Sequence, residues 1–500
     1  MYTNQYTNMP RIFTQEQLGK DRVNGFYETP LKTVEYICNK ILPHYKRGKK
    51  ILDPAVGDGI FLYALNQAGV DKKDLYGFDI DKQKVESLKK TYPNIKLYDA
   101  TNPFPEKFDF IVGNPPYNGD ESHFVRDNRE RLKKLFKEID VKNTYSMISY
   151  QAINALNPDG IFSMILSDSF LTNNYYKDFR LFLLRNAEVG ELLLAPWKLF
   201  HGRSADVRTC ILTAVKKNET DIIFQIQNGN NEVRLIDRVK SEDEYLNPQR
   251  LEKIKQKEFY KYPNTAFLAG LPVQIRSLYL NTDKRLGDVV EGGTGISTGT
   301  DKKFLKRKSE VQNNPDWVPY YKNGARQAYW YEPEYYIEKD YKKYSSSISN
   351  YLIRNERFFF REGISCSSVG VRFSSAYMPE GGLFGVNANF FFKDKDTLFY
   401  TLGLLNSKIA WYFARKVLIR TNNISANYLR QLPYREPEIK AKKAISETVQ
   451  KIVKELKRNN GYDYAEIQKE LDKKFYEIFA LNKQIIKEIE NFCENFYEEL

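Results

Sequence analysis

The feature that most constrains the fold is an alternation of short apolar runs with helical patterns between residues 50 and 215. The apolar runs have the length of strands, and the segments between them repeat apolar residues at helical spacing, as in a parallel sheet covered by helices. The predicted strands are 50–53, 75–79, 95–98, 108–113, 161–167 and 209–215, and the predicted helices include 60–68, 82–91 and 144–156. The sequence therefore predicts a doubly wound α/β domain, in which a ligand binds beyond the carboxyl ends of the strands.

The length and composition indicate more than one folded unit. The 500 residues exceed what one hydrophobic core supports, and the 42% that are hydrophobic are ample for packed cores. After residue 216 the pattern weakens into polar residues and short strands, and after residue 437 apolar residues recur at helical spacing. We expect an α/β domain over 1–216, a connecting region over 217–285, a mixed α+β domain over 286–436 and a helical segment over 437–500.

The charge balance favours a polyanionic partner. The chain has 77 Lys and Arg against 64 Asp and Glu, which gives a formal net charge of +13. Nucleic acid fits such a charge, although an ordinary basic soluble protein has the same balance. The basic residues form separate clusters near 46–50, 131–137 and 302–308 rather than a single tail.

Cysteine usage and hydropathy favour a cytoplasmic location. The four cysteines are isolated from one another, so they form neither a metal-spaced pair nor a recognisable disulfide framework. Residues 1–17 are polar, and nowhere do about 18 consecutive apolar residues occur. The sequence therefore predicts no metal site, no signal peptide and no membrane span.

Three successive predicted strands end in groups that suit a nucleoside ligand. The first leads into the segment ILDPAVGDG at 51–59, where Gly57 and Gly59 let the backbone approach a ligand closely. Asp79 ends the second strand, where it can accept from a ribose diol, and Asp99 ends the third, where it can accept from an adenine amino group. A turn or a helix cap explains each residue alone equally well, but three together at one sheet edge favour a ligand pocket.

The fourth predicted strand ends in the tetrapeptide NPPY at 114–117. Two prolines stiffen this turn, because each fixes its own φ and the second restricts the residue before it. The amide oxygen of Asn114 and the carbonyl of Pro115 can then accept both hydrogens of an exocyclic amine, which makes its nitrogen electron-rich toward an electrophilic methyl group. Tyr117 supplies a flat face for stacking. The tetrapeptide also occurs by chance, so the functional interpretation depends on its position after a glycine turn and two acidic strand ends.

This combination resembles the N6-adenine DNA methyltransferases of the TaqI-like order, with cofactor motifs first, the catalytic tetrapeptide next and a target-recognition domain last. The segment GFYETP at 25–30 resembles the additional cofactor motif of that family. The resemblance covers nearly the whole chain and implies a Rossmann-like sheet that binds S-adenosyl-L-methionine. The cofactor contacts it implies are Tyr27, Thr29, Asp53, Ala55 and Gly57 on the methionine side, Asp79 at the ribose with Ile80 beside it, Asp99 at the adenine, and Asn114.

The resemblance also implies the catalytic residues, namely Asn114, Pro115, Tyr117 and Phe200. The segments 199–200 and 205–212 are similar to the region whose aromatic residue stacks on an extruded adenine, and Phe200 is the matching residue, although a core role would explain it as well. Asp58 departs from the family, many members of which have serine there. Its charge could repel or reorient the carboxylate of the cofactor.

The second half of the chain resembles a target-recognition domain. The segment GGTGISTGTD at 292–301 is similar to the loop that opens such domains, and 357–384 and 402–408 are similar to their later parts, which also occur in BREX-type phage-defence methyltransferases. The resemblance implies a sequence-specific DNA adenine N6-methyltransferase that flips its target out of double-stranded DNA. A restriction-modification system is the expected setting, with any endonuclease on a separate chain.

Three alternatives remain at this point. A BREX-like phage-defence methyltransferase would perform the same reaction. Methyltransferases of ribosomal RNA or of release-factor glutamine share the NPPY turn, but they are compact and lack a long second domain. A DNA-binding scaffold with a degenerate cofactor site is disfavoured, because Asp53, Gly57, Asp79, Asp99 and Asn114 are all intact.

Overall fold

A nine-stranded mixed sheet organises the first half of the chain in the computed structural model. The structure describes residues 29–119, 122–197, 199–200, 208–217, 231–312, 314–322, 324–345, 348, 350–368, 373–418 and 424–495. The chain divides into two units, described separately below. Unit 1 comprises Met1–Leu171, Tyr175–Lys261 and Thr265–Gly270, and unit 2 comprises Thr172–Asn174, Tyr262–Asn264 and Leu271–Leu500.

The strands of unit 1 follow the order β3-β2-β1-β4-β5-β7-β6-β8-β9 across the sheet. They are β1 Ile51–Asp53, β2 Leu75–Asp79, β3 Asn94–Leu97, β4 Phe108–Gly113, β5 Leu156–Ser167, β6 Ala187–Leu194, β7 Thr209–Lys216, β8 Glu232–Ile236 and β9 Leu251–Lys255. Strands β1 to β5 are parallel, whereas β7 runs antiparallel to both of its neighbours, β5 and β6. The predicted doubly wound α/β class is confirmed.

Helices flank this sheet in the positions expected of crossover connections. They are α1 Leu31–Cys38, α2 Ile60–Gln67, α3 Lys82–Lys89, α4 His123–Asp127, α5 Arg129–Leu135, α6 Thr144–Ala155 and α7 Lys177–Asn186. Helix α2 begins at a left-handed Gly59 (φ 82°), and α3 begins where the Asp81 carboxylate accepts from the backbone amides of Gln83 and Lys84. Both helix starts lie at the strand edge that the sequence predicts to bind a ligand.

Unit 1 continues past residue 216, the predicted end of the α/β domain, and includes most of the chain up to Gly270. Strand β8 pairs in parallel with β6, and β9 pairs antiparallel with β8, so 231–255 extends the sheet of unit 1. In β8, Val233, Leu235 and Ile236 are buried, whereas the charged Glu232 and Arg234 are exposed. Because charged residues alternate with apolar ones, the sequence pattern predicts a polar connection here.

Unit 2 contains two four-stranded sheets with the orders β11-β18-β15-β16 and β12-β14-β13-β17, and a separate pair, β10-β19. The strands are β10 Lys284–Arg285, β11 Glu291–Gly293, β12 Leu305–Arg307, β13 Trp317–Tyr321, β14 Tyr335–Glu338, β15 Gly363–Cys366, β16 Ser375–Met378, β17 Leu383–Phe384, β18 Asn389–Phe391 and β19 Pro433–Tyr434. An aromatic-rich core joins both sheets, in which Phe358 and Phe391 stack at 4.8 Å. The predicted mixture of short strands and loops is confirmed.

The helices of unit 2 lie mainly toward the end of the chain. They are α8 Val273–Leu280, α9 Asp301–Phe304, α10 Lys308–Val311, α11 Lys395–Leu405, α12 Lys408–Tyr412, α13 Ala426–Leu429, α14 Ile439–Arg458, α15 Ala465–Ile478 and α16 Lys483–Asn495, with a π-helical turn at Phe413–Leu418. Helix α14 buries Ile445, Val449, Ile452 and Leu456 on one face, as its period predicts. Gly403 of α11 lets Val449 approach, because a Cβ there would lie 3.0 Å from its side chain.

None of the helices in the described ranges combines the length and apolar character that crossing a membrane requires. The four cysteines are buried and unpaired with one another, and within these ranges no group of three or more His, Cys, Asp or Glu side chains is arranged to hold a metal ion.

Candidate active site

Two backbone amides join the turn after β1 to the end of β2, and a third bonds the last residue of β1. Asp53 is 1% exposed, and its Oδ1 accepts from the Ala55 amide at 3.1 Å. The Val56 amide donates to the Phe78 carbonyl at 2.8 Å, and the Gly57 amide donates to Oδ2 of Asp79 at 2.9 Å. Gly57 has a positive φ of 53°, which favours glycine there. The turn therefore brings the predicted methionine-side residues and the predicted ribose acid together at one sheet edge.

Asp53 lies directly against the last residue of β4. A Cβ on Gly113, whose φ is 150°, would stand 2.6 Å from Oδ1 of Asp53, so a larger residue is excluded. Burial raises the pKa of Asp53 to about 7, and the nearby carboxylate of Asp79 acts in the same direction. Gly113 immediately precedes Asn114, and only its being a glycine could have indicated this contact from the sequence.

Asp79 presents a nearly buried carboxylate at the end of β2. Its Oδ1 accepts from the Asp81 amide at 2.8 Å, and burial raises its pKa. Each carboxylate oxygen has two lone pairs, so both retain room to accept from a ligand. Ile80, the next residue, is 61% exposed beside it.

The unusual acid of the glycine turn has a cation close by. Nζ of Lys84 lies 3.6 Å from Oδ1 of Asp58, although Lys84 is only 4% exposed. A lysine near Asp58 offsets the charge that the sequence analysis expected to repel the cofactor carboxylate.

Asp99, the predicted adenine contact, is held by Thr101 and Arg131. Its Oδ1 accepts from the amide of Thr101 at 2.9 Å and from the hydroxyl at 2.6 Å. Its Oδ2 accepts from Nη2 of Arg131 at 2.8 Å, and Nη1 of Arg131 donates to Oδ1 of Asn102 at 2.6 Å. Arg131, which the sequence analysis counted among the basic clusters, thus points into this site.

Asn114 lies at the end of β4, is 8% exposed, and is contacted at both ends of its amide. Its Nδ2 donates to Oγ1 of Thr29 at 3.1 Å, and the hydroxyl of Tyr117 donates to its Oδ1 at 2.6 Å. The loop that follows is fastened to α6, because Thr144 Oγ1 donates to the Pro116 carbonyl and accepts from the Asn118 amide at 3.0 Å. Two hydrogen bonds therefore hold the predicted catalytic loop against the start of α6.

The aromatic residues considered for base stacking lie in different environments. Tyr117 is partly exposed and meets Tyr145 edge-on at 5.9 Å. Phe200 is 1% exposed in the hydrophobic cluster of unit 1, and Phe170 is fully buried. Trp197 has the guanidinium of Arg208 over its ring at 3.9 Å, with Arg238 at 4.8 Å. Stacking by Phe200 therefore requires it to leave that cluster, and its role stays a prediction.

The predicted contacts that the structure describes, apart from Phe200, gather along the carboxyl edge of β1, β2, β3 and β4. Tyr27 lies outside the described residues. The carboxylates of Asp79 and Asp99 form a set of acceptors that fits the hydroxyl and amino groups of a nucleoside cofactor. The site residues remain predictions, and the geometry is compatible with them.

The sheet order and the antiparallel β7 define the class: this is the fold of the S-adenosylmethionine-dependent methyltransferases. Residues 70–195 match the family model of the Eco57I restriction-modification methylase. This match confirms, over these residues, the resemblance to DNA methyltransferases of the restriction-modification type that the motifs carry.

Several curated proteins are similar to this chain over part of their length. Type II methyltransferase M.BanIII of Aneurinibacillus aneurinilyticus is 27% identical over 222 residues, which is 38% of either protein. Type II methyltransferase M.HindII of Haemophilus influenzae is 26% identical over 307 residues, covering 56% of this chain and 55% of that protein. The adenine-specific methyltransferase PglX of Lacticaseibacillus casei is 27% identical over 207 residues, covering 36% of this chain and 17% of its own. The chain thus spans between 38% and 55% of the first two relatives.

Two solved structures share the fold over most of the chain. The type IIL restriction-modification enzyme MmeI, in complex with DNA, has a TM-score of 0.58 at 13% identity and covers 97% of this chain and 78% of its own. A nuclease-deletion mutant of the type ISP restriction-modification enzyme LlaGI, with a DNA substrate mimic, has a TM-score of 0.56 at 14% identity, covering 86% of this chain and 47% of its own. At such identities the likeness concerns the fold alone.

Proposed function

We propose that the chain is a sequence-specific DNA adenine N6-methyltransferase that acts on an adenine extruded from double-stranded DNA in a restriction-modification system. The observation that carries the proposal is the placement of Asn114. Its amide stands at the end of β4, where its nitrogen contacts Thr29 and its oxygen contacts the hydroxyl of the partly exposed Tyr117. The similarity to type II methyltransferases supports the DNA substrate.

S-adenosyl-L-methionine, when bound, supplies an electrophilic methyl group. Asp79 would hold its ribose, Asp99 its adenine, and the turn at Asp53, Ala55 and Gly57 its methionine part, following the family resemblance. These acceptors are fixed in advance by backbone amides, so little reorganisation is needed on binding.

Asn114 and Pro115 would act on the target base. Oδ1 of Asn114 and the Pro115 carbonyl would accept the two hydrogens of the adenine amine, which draws electron density onto its nitrogen. That nitrogen would bond to the methyl carbon as the bond from this carbon to the sulfonium sulfur breaks, so that the sulfur leaves as a neutral thioether and the amine releases one proton to solvent. Tyr117 stacks on one face of the base, and Phe200 on the other if it leaves its cluster. Extrusion is required because a paired adenine cannot present its amine to a cofactor at the sheet edge.

A phage-defence setting is the second candidate. The similarity to PglX favours it, and the reaction would be the same. The proposal locates the protein in the cytoplasm with its DNA, and a restriction setting adds a separately encoded endonuclease. Sequencing the DNA around the gene for an endonuclease or for other defence proteins separates the two settings.

The direct test is to incubate the protein with methyl-labelled S-adenosylmethionine and plasmid DNA, ribosomal RNA or release factor. Label in DNA as N6-methyladenine is expected, and label in cytosine, RNA or protein would refute the proposal. Asn114→Ala should slow transfer by roughly two to four orders of magnitude, because a preorganised electrostatic group is lost. Its cofactor affinity, measured by calorimetry, should change little. The matched control is Lys469→Ala on an exposed face of α15, which should transfer at the normal rate.

A further inference from the structure

The amide of Asn114 has two ends that differ in chemistry but hardly in shape. The oxygen accepts hydrogen bonds and the nitrogen donates them. The proposed reaction needs the oxygen to face the target amine, since a rotation of the amide by half a turn would set two donors against each other. Some neighbouring group must therefore select the productive orientation.

Thr29 contacts the nitrogen end of this amide. Nδ2 of Asn114 donates to Oγ1 of Thr29 at 3.1 Å, and the two residues are only 8% and 4% exposed. A hydrogen bond between two buried groups is strong, so losing this one is costly. Thr29 stands 85 positions before Asn114 and just ahead of α1, so the fold brings it there.

The oxygen end stays usable while Thr29 holds the nitrogen. The Tyr117 hydroxyl donates to Oδ1 at 2.6 Å, but a carbonyl oxygen has two lone pairs and can also accept from an incoming amine. Both contacts require the same orientation of the amide. Tyr117 is expected to touch the base, whereas Thr29 is not.

We propose that Thr29 is a positioning residue for methyl transfer, which orients the Asn114 amide so that Oδ1 faces the target amine. The inference rests on the proposed function and differs from the cofactor contact that the family resemblance implies for Thr29. A cofactor contact would govern affinity for S-adenosylmethionine, whereas an orienting contact governs the rate once DNA and cofactor are bound.

The test compares Thr29→Val, which keeps the shape and removes the acceptor, with Thr29→Ser, which keeps the acceptor. Single-turnover methylation of a duplex is measured for each, together with the calorimetric Kd of S-adenosylmethionine and the melting temperature. We expect Thr29→Val to be about ten- to a hundredfold slower and Thr29→Ser to stay within about threefold of the unaltered chain, as expected for losing or keeping one buried hydrogen bond. A rise in the Kd of Thr29→Val would report the cofactor contact that the resemblance implies, so the loss of rate is measured at saturating S-adenosylmethionine.

A second arm uses Asn114→Asp. A carboxylate has two equivalent oxygens and needs no orienting, so Thr29→Val should cost less than about threefold in that background. An equal loss in both backgrounds would show that Thr29 has a merely structural role. If Asn114→Asp turns over too slowly to measure, the comparison of Thr29→Val with Thr29→Ser decides whether Thr29 positions the amide. If Thr29→Val does not fold, Thr29→Ala takes its place.

The outcomes separate this inference from the proposed function. If the unaltered chain makes no N6-methyladenine, the proposed function fails. If it does, and Thr29→Val reacts at the normal rate, only the positioning role is overturned. A rise in the Kd of S-adenosylmethionine that accounts for the whole loss of rate would also overturn it, because Thr29 would then be a cofactor ligand.

Discussion

Asp53, which is predicted to bind the cofactor, opposes the stability of the folded chain at neutral pH. It is buried under the glycine turn, and burial raises its pKa to about 7, well above the value of an exposed aspartate. Between about pH 4 and pH 7 the folded chain therefore holds more protons than the unfolded chain, so the free energy of unfolding falls as the pH rises through this window. Asp472 in unit 2, whose pKa burial raises to about 6, contributes in the same direction.

Asp53→Asn should stabilise the protein at pH 8 and change it little at pH 4, because only the charged form is penalised by burial. The melting temperature should rise by about 2 to 4 °C for each kcal/mol recovered. The affinity for S-adenosylmethionine should fall, since the predicted partner of its methionine part is lost. Asp472→Asn is the matched control and should raise the melting temperature at pH 8 while leaving cofactor affinity unchanged. Destabilisation by Asp53→Asn at pH 8 would contradict this account.

The sequence predicted which side chains stand at the sheet edge, but not what holds them. Strand ends follow from the apolar pattern, so Asp53, Asp79 and Asn114 could be located without a structure. The contacts of Asn114 with Thr29 and of Asp99 with Arg131 join residues far apart in sequence, and packing alone decides them. The burial of Phe200 is of the same kind, because nothing in the segment 199–200 distinguishes a stacking phenylalanine from a core one.

Among the helices, α5 connects the catalytic loop to the cofactor edge. It begins soon after the NPPY turn, and its Arg131 reaches Asp99, Thr101 and Asn102 near the end of β3. A helix so attached fixes the carboxylate that is predicted to receive the cofactor adenine. The orientation of Asp99 therefore depends on an element that carries no motif of its own.

Arg131→Ala should weaken binding of S-adenosylmethionine roughly tenfold, because a charged hydrogen bond that fixes Asp99 is lost at a partly exposed site. The Kd is measured by calorimetry with the full chain. Lys133→Ala on the same helix is the control, since Lys133 pairs with Glu130 on the surface and should leave the Kd unchanged. Tighter binding in Arg131→Ala would mean that Arg131 competes with the cofactor for Asp99.

A buried charge explains why the sequence pattern predicted strands β2 and β4 but not strand β6. The predicted strands at 75–79 and 108–113 agree with β2 and β4 residue for residue, because both are short and mostly buried. Strand β6 was not predicted: its Glu191 is charged yet buried, where it accepts from the Tyr36 hydroxyl at 2.7 Å and pairs with Lys40. A buried charge with distant partners cannot be told from a surface charge by pattern alone.

The molecule as a whole carries its excess positive charge in separate places. Lys302 and Lys303, on α9 after the glycine-rich segment of unit 2, are exposed, and so are Lys306 and Arg307 of β12. Nζ of Lys306 lies 4.7 Å from the centre of the Trp317 ring. Cations beside aromatic rings suit a nucleic-acid surface, which is the role that we propose for unit 2.

Replacing Lys302 and Lys303 by alanine should weaken DNA binding and flatten its dependence on salt. If both contact phosphates, the slope of log affinity against log salt concentration should fall in magnitude by about 1.8. Fluorescence anisotropy with a labelled duplex over a range of NaCl concentrations measures it. Lys469 and Lys473 of α15, each paired with a glutamate, are the control pair, and their replacement should leave the slope unchanged. If the unaltered chain and both double variants had equal slopes, the basic segment of unit 2 would not contact DNA phosphates.

The hydroxyl of Tyr117 is held at its far end, 2.6 Å from Oδ1 of Asn114 and 3.3 Å from the carbonyl oxygen of Ile165. These contacts at the hydroxyl would keep the ring in one position when a base stacks on it. Under the proposed function, adenine and cytosine would each offer an exocyclic amine to Asn114. A cytosine that brings its amine to Asn114 is the shorter base and would place its sugar nearer to Asn114 than an adenine does, so the proposed site would select its substrate by length.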